Sequence, residues 1–233
     1  MSLYSNEGTG LFIDEAPTTT IGRASLLTLT FGCFFFDYDL DGRVDIFAAN
    51  GHVADDVNKV QPNVTYAELP HLFRNLGSRR FEEVTSRLGA PLQQPMVARG
   101  AAYGDYDGDG DLDVLITTNN GPARLFRNDG GHGDRLRVTA VGTTSNKDGI
   151  GTRIQALVDG KPGPWAMVKT GSSYLSQSEL PVTLGLGNSS RLSGVQITWP
   201  TGAVETLQAL DANQSIRVEE GRGLVGAAPL ASP

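Results

Sequence analysis

The sequence predicts an all-β chain in which partial propeller-type blades precede a β-sandwich-like domain. Three observations carry this. Two nine-residue stretches starting at Asp37 and Asp105, 68 positions apart, share the pattern D-x-D-x-D-G-x-x-D, and each runs into a short apolar strand. A turn of the form L-[FY]-x-N-x-G recurs three times in the first 130 residues. Beyond residue 135, apolar and polar positions alternate with period two, and helical periodicity is almost absent throughout.

Taken in order, the chain opens on Leu3-Tyr4-Ser5-Asn6-Glu7-Gly8 and then Leu11-Phe12-Ile13-Asp14-Glu15. The first acidic loop, Asp37 to Asp45, leads into Val44-Asp45-Ile46-Phe47-Ala48, which ends at Asn50-Gly51. After an insertion over residues 52–70, the turn returns as Leu72-Phe73-Arg74-Asn75-Leu76-Gly77, followed by Arg80-Phe81-Glu82-Glu83-Val84-Thr85. The second loop, Asp105 to Asp113, leads into Leu112-Asp113-Val114-Leu115-Ile116, ends at Asn120-Gly121, and is followed by Leu125-Phe126-Arg127-Asn128-Asp129-Gly130. Acidic loop, buried strand, asparagine turn and a further strand together read as a four-stranded blade. Residues 1–131 hold about two to three such units, whereas closed propellers need about four to eight blades. The character then changes: Leu136 to Val141, Ile154 to Leu157, Val195 to Trp199 and Ile216 to Val218 alternate as strands with one face buried do. Residues 132–220 are therefore expected to form the second domain, with Trp165 and Trp199 in or at the edge of its core. The Gly/Ala/Pro-rich stretch 221–233 is expected to be a disordered tail.

The acidic loops point to a hard divalent cation. Short aspartates at positions 1, 3 and 5 converge from one side of a tight loop. Glycine at position 6 allows the turn, position 7 offers a carbonyl, and aspartate at position 9 closes the shell. Without a cation each pair of carboxylates about 5 Å apart repels by roughly 3 kcal/mol at an effective dielectric near 20. An EF-hand would need flanking helices and a glutamate at position 12, where this chain has Ala48 and Ile116. The pattern is that of a β-hairpin calcium loop, with two Ca2+ sites expected.

Bulk properties exclude other classes. The 233 residues carry 19 basic and 26 acidic side chains, a net charge of −7, and nine of the acidic residues lie in the two loops. This balance and the lack of a basic cluster argue against nucleic acid as a partner. No apolar run approaches the roughly 18 residues of a membrane span. Cys33 is the single cysteine, so there is no disulfide framework, and its phenylalanine neighbours suggest a buried thiol. H-E-x-x-H, G-x-S-x-G and the P-loop pattern are all missing, and Lys169-Thr170-Gly171 has no S-x-x-K to accompany it. His52, His71 and His132 are widely spaced, with His52 the best single candidate for a general base. The hydroxyl-rich segment Gly171 to Glu179 reads as a connection satisfying its own backbone, or as a polar face for a glycan or peptide.

The segments FFDYDLDGRVDIFAANGH and GDYDGDGDLDVLITTNNGPARLFRNDG resemble FG-GAP/VCBS-type propeller repeats. The segments SNKDGIGTRI, KTGSSYLSQSE, LGLG, ITWPTG and ANQSIRVEE resemble the ASPIC/UnbV domain. Together they resemble bacterial members of the cartilage acidic protein family, and more specifically the C-terminal part of such a protein. The resemblance implies a secreted calcium-binding propeller with an appended β-rich domain. Its ligands would be Asp37, Asp39, Asp41 and Asp45 in one site and Asp105, Asp107, Asp109 and Asp113 in the other, with carbonyls of Arg43 and Asp111. With the enzyme motifs missing, no residue is assigned a catalytic or organic-cofactor role. The reading that follows is an extracellular adhesion or interaction module with structural calcium, secreted, periplasmic or at the cell surface, whose partner is a protein or glycan. The chain begins without a signal peptide, which is reconciled if it is part of a longer protein. Its first strands then expose an edge expected to pair with missing blades or with another copy. The alternative is an enzyme or enzyme accessory with a cleft between propeller and UnbV-like domain.

Overall fold

The computed structural model describes residues 1–130 and 133–231. His132, the expected boundary between residues 131 and 132, and the last two residues of the expected tail lie outside the described residues.

The first part is built from antiparallel meanders. A two-stranded hairpin pairs β1 (Tyr4–Asn6) with β2 (Phe12–Asp14), and a short helix α1 (Thr20–Ala24) follows. A complete blade comprises β3 (Thr30–Phe36), β4 (Asp45–Asn50), β5 (His71–Asn75) and β6 (Phe81–Glu83) in sequential order. A second blade contains β7 (Ala98–Gly104), β8 (Asp113–Thr118) and β9 (Arg124–Phe126). All six residues of β4 are buried, as expected of an inner strand covered on both faces. The two blades pack on a shared core of Phe34, Phe36, Phe47, Leu72, Ala98 and Ile116. The Phe34 ring stacks on Phe47 at 5.4 Å and meets Tyr103 edge-on at 5.1 Å, joining the blades. Cys33 is only partly buried, because in β3 it alternates with the inward-facing Phe34.

The second part is a two-sheet sandwich. It uses β10 (Asp134–Val141), β11 (Arg153–Val158), β12 (Lys161–Met167), β13 (Ser172–Ser173), β14 (Ser176–Gln177), β15 (Val182–Gly187), β16 (Arg191–Leu192), β17 (Gly194–Thr198), β18 (Val204–Leu207), β19 (Leu210–Asp211), β20 (Gln214–Glu219) and β21 (Gly223–Pro229). One sheet runs β15-β10-β20-β21, with β10 and β20 parallel, and the other runs β12-β11-β17-β18. Alternate residues of β10 (Leu136, Val138, Ala140) and of β20 (Ile216, Val218) meet Ile154, Ala156, Val195 and Ile197 between the sheets. Trp199 is buried there, its indole N–H donating to Glu205 Oε1 at 2.6 Å. Trp165 departs from the core expectation: it is 53% exposed, and the Arg153 guanidinium lies 4.4 Å above its ring.

The expected disordered tail is overturned. Gly223–Pro229 forms β21 and pairs with β20 from Glu219↔Gly223 to Gln214↔Pro229. Its composition offers little to bury, but backbone pairing needs no side chain, and β20 would otherwise end the sheet with an open edge.

Candidate metal centres

The two acidic loops fold alike at positions 5, 6 and 9 and differ in one donor to position 1, which is the position-5 N–H in the first loop and the position-4 N–H in the second. At position 1, Asp37 accepts from the N–H groups of Asp41 (3.1 Å) and Gly42 (2.9 Å), and Asp105 accepts from Gly108 (2.8 Å) and Gly110 (3.1 Å). Position 6 is glycine for a conformational reason, since Gly42 has φ +86° and Gly110 has φ +90°. At position 5, Asp41 and Asp109 each accept from the N–H two residues on, both at 2.9 Å. At position 9, one oxygen accepts from the position-2 tyrosine: Tyr38 N–H on Asp45 (3.1 Å) and Tyr106 N–H on Asp113 (2.8 Å). The other accepts from the asparagine of the following turn, Asn75 (2.7 Å) or Asn128 (2.8 Å).

This last bond explains the recurring turn. Asn75 Oδ1 accepts from Gly77 N–H at 2.9 Å, while its amide donates to Val44 O at 2.9 Å. Asn128 repeats both contacts with Gly130 and Leu112, and also donates to Tyr38 O at 2.8 Å in the other loop. The arginine before each asparagine faces the position-3 aspartate: Arg74 lies 2.7 Å from Asp39 and Arg127 lies 3.6 Å from Asp107. The turns were legible in the sequence. Their role as clamps on the loops was not, because it needs the strand after the loop to pair beside the turn.

The carboxylates converge as a cation site requires. Oxygens of Asp37, Asp39 and Asp45 lie within 4.8 Å of one another, as do those of Asp105, Asp107 and Asp109. Burial pushes the Asp37 carboxyl up to about 7 and Asp45 up to about 8, and the neighbouring aspartates push the same way. Asp39, Asp109 and Asp113 are raised as well, again chiefly by burial. Asp39 Oδ1 and Asp109 Oδ2 are buried and accept no hydrogen bond from the protein. Such oxygens are costly without a positive partner, and an oxygen-seeking divalent ion supplies one. The remaining expected ligands sit at the margin. Asp41 is ion-paired with Arg43 beside the Asp37 cluster, Asp113 is held by its two amide donors, and buried Asp111 lies 3.4 Å from Arg135.

Both loops plug into one edge of the sandwich, formed by β10 and β15. Leu40, at position 4, is fully buried, takes the left-handed conformation at φ +58°, and accepts from Gly187 N–H at 2.9 Å. A Cβ on Gly185 would lie 2.1 Å from Asp37 Oδ2, so β15 can approach this loop only with glycine there. At the second loop, Arg135 Nε donates to Asp109 O at 3.1 Å. Arg137 forms a two-pronged pair with Glu179 at 2.6 and 2.5 Å and lies 3.5 Å from Asp105. Sequence reasoning missed Leu40, Arg135, Arg137 and Glu179, because their partners lie far away in the chain.

The hydroxyl-rich segment meets its expectation in part: Ser176 Oγ donates to Tyr174 O at 2.8 Å within its own turn, while two other serines reach distant strands. Ser173 Oγ accepts from Cys33 N–H (3.1 Å) and Ser178 Oγ from Tyr103 N–H (3.1 Å), so β13 and β14 cover the inner edges of both blades. Tyr174 packs edge-on against Phe31 at 5.0 Å. A cavity of about 700 Å³ opens beside this joint, lined by Phe35, Tyr103, Pro164, Trp165, Lys169 and Glu179 among others, and burial lowers the Lys169 ammonium pKa. His52 does not line it: its ring accepts from Ala54 N–H at 3.0 Å. His71 sits between Thr28 and Glu83, with burial lowering its pKa.

Residues 37–116 match the FG-GAP-like repeat family, and residues 142–225 match the family of ASPIC and UnbV. Among curated proteins, the chain is 22% identical to cartilage acidic protein 1 of Mus musculus over 253 aligned positions, which cover 86% of this chain and 38% of the relative. It is 26% identical to cartilage acidic protein 1 of Homo sapiens over 254 positions, with 86% and 37% covered. The chain therefore spans under two-fifths of the length of these relatives. By its repeats, its sandwich and these matches, the chain joins an FG-GAP-like repeat region to an ASPIC/UnbV domain, with homology to cartilage acidic protein 1.

Proposed function

We propose that this chain is a non-enzymatic, extracellular interaction module in which two calcium ions brace the joint between the blades and the sandwich. One observation carries the reading: each acidic loop gathers three carboxylates within 4.8 Å and delivers its far side to the β10–β15 edge. When bound, calcium neutralises those carboxylates. Asp37, Asp39 and Asp45 would hold one ion, and Asp105, Asp107 and Asp109 the other, with Asp41, Asp113 and the carbonyls of Arg43 and Asp111 as further candidates. An all-oxygen donor set rich in carboxylates suits calcium, which takes six to eight oxygens in variable geometry, better than magnesium, which demands near-ideal octahedral geometry. Sites of this kind fill readily where calcium is millimolar, which agrees with a secreted or cell-surface setting, as does the cartilage in the relatives' name. The exposed partner would be a protein or a glycan.

Titration calorimetry with calcium is the test. The reading expects two ions per chain, and one after Asp39→Ala or Asp107→Ala. A chain that takes up none refutes it. A second reading, of an enzyme or enzyme accessory, has the joint cavity in its favour, where Lys169 and the Arg137-paired Glu179 stand beside apolar walls.

A further inference from the structure

The β1–β2 hairpin repeats the outer half of the complete blade bond for bond. Asn6↔Phe12, Ser5↔Ile13 and Tyr4↔Asp14 match Asn75↔Phe81, Arg74↔Glu82 and Phe73↔Glu83. Gly8 N–H donates to Asn6 Oδ1 at 2.9 Å as Gly77 does to Asn75. Glu7 N–H donates to Leu11 O at 3.0 Å as Leu76 does to Arg80 at 2.9 Å, and Glu15 to Leu3 at 2.8 Å as Val84 does to Leu72 at 2.9 Å. Because the hydrogen-bonded pairs are those of residues 3, 5 and 7, the backbone groups of Tyr4 and Asn6 point away from β2.

What occupies that side differs. On β5 it is β4, with Ile46 opposite Phe73 and Asp45 accepting from Asn75. On β9 it is β8, with Val114 opposite Phe126 and Asp113 accepting from Asn128. On β1 there is no strand among the described residues, and Tyr4 is 64% exposed where its counterpart Phe73 is 0%. Leu11, Phe12 and Ile13 are exposed beside it.

We propose that the β1 edge is a docking site for a β-hairpin carrying a D-x-D-x-D-G-x-x-D loop, supplied by another FG-GAP-like repeat. The position-9 aspartate of that loop would accept from Asn6 N–H, the Asn6 amide would donate to the carbonyl before it, and the next residue would stand opposite Tyr4. A second copy of this chain is the weaker occupant, because both of its loop-bearing hairpins already hold β5 and β9 on the edge required. Ser5 stands where Arg74 and Arg127 face their position-3 aspartates, so the docked loop would lack that guanidinium. The inference does not depend on calcium, since the clamp on position 9 is made by backbone and side-chain amides.

The test joins residues 98–118 of this chain, through a flexible glycine-serine linker, ahead of Met1 and follows amide exchange by NMR, with calcium and with chelator. The tether raises the effective hairpin concentration to about millimolar. Exchange at Tyr4 and Asn6 is expected to slow by about tenfold or more, with Asn75 and Asn128 unchanged as internal references. Substituting the tethered copy's position-9 aspartate by alanine is expected to reverse most of that slowing. Unchanged exchange, or equal slowing by a scrambled tether, would overturn the proposal. So would concentration-dependent protection of Tyr4 and Asn6 in the untethered chain, which would assign the edge to self-association.

Discussion

Replacing Asn75 by alanine tests the clamp between turn and acidic loop. The side chain makes two hydrogen bonds of 2.9 Å, one accepted from Gly77 and one donated to Val44 O. Each is worth about 0.5–1.5 kcal/mol net, so losing both costs about 1–3 kcal/mol. Val44 is exposed, so its carbonyl regains water and adds no burial penalty. The backbone bond from Asn75 to Asp45 survives the change. Asn6 supplies the control, because its side chain holds the same turn through Gly8, while among the described residues no acidic loop lies against it. Asn6→Ala therefore removes one bond and costs about 0.5–1.5 kcal/mol. Urea unfolding of the two variants, with unchanged slopes, is expected to separate them by about 1 kcal/mol. Asn75→Asp keeps the acceptor for Gly77 but loses the donor and sets a charge beside Asp45, so it should be no more stable than Asn75→Ala. Equal losses for Asn75→Ala and Asn6→Ala, or rescue by Asn75→Asp, would refute the clamp and leave only a turn.

Three further outcomes follow, two from the joint and one from within the sandwich. Arg137→Ala strands the largely buried Glu179 and should cost about 3 kcal/mol, whereas Arg137→Met combined with Glu179→Gln should cost less, as read by a double-mutant cycle in urea. Leu40→Gly relieves a left-handed backbone worth about 1 kcal/mol but empties a fully buried site worth about 2–5 kcal/mol. The net is a loss of about 1–4 kcal/mol, and a gain in melting temperature would contradict the packing described. Glu220 provides a pH test. Burial opposes its ionisation, but donors from Ser145, Thr143 and Thr144 outweigh this and hold its carboxyl at about 2, below the ordinary 4.5. A lowered folded-state pKa means that the unfolded chain takes up the proton first as acid is added. Its contribution is thus intact above about 4.5 and lost between there and about 2, and Glu220→Gln should flatten that part of the stability profile.

Much of the blade region was legible because its signals are local. Asp37 to Asp45 and Asp105 to Asp113 announce tight loops, and Asn-x-Gly announces the turns, since each pattern answers a need met within a few residues. The alternation in Leu136 to Val141 and Ile216 to Val218 likewise gave a sheet with one buried face. What stayed hidden depends on distant partners. Ser173 and Ser178 serve strand edges about 140 and 75 residues away rather than their own turn. Arg135 and Arg137 look like ordinary outward positions of an alternating strand until the second loop arrives beside them. The stretch after Gly221 misled because composition measures what side chains can bury, whereas β21 is held by its backbone.

Thermal unfolding in saturating calcium, against chelator and with magnesium as control, tests the metal-braced joint most directly. A site filled at 100 times its dissociation constant adds about 2.7 kcal/mol. The account predicts a calcium-selective rise from which Asp39→Ala and Asp107→Ala each remove one site's share. An equal rise in magnesium, no rise at all, or a rise that survives both substitutions would contradict it.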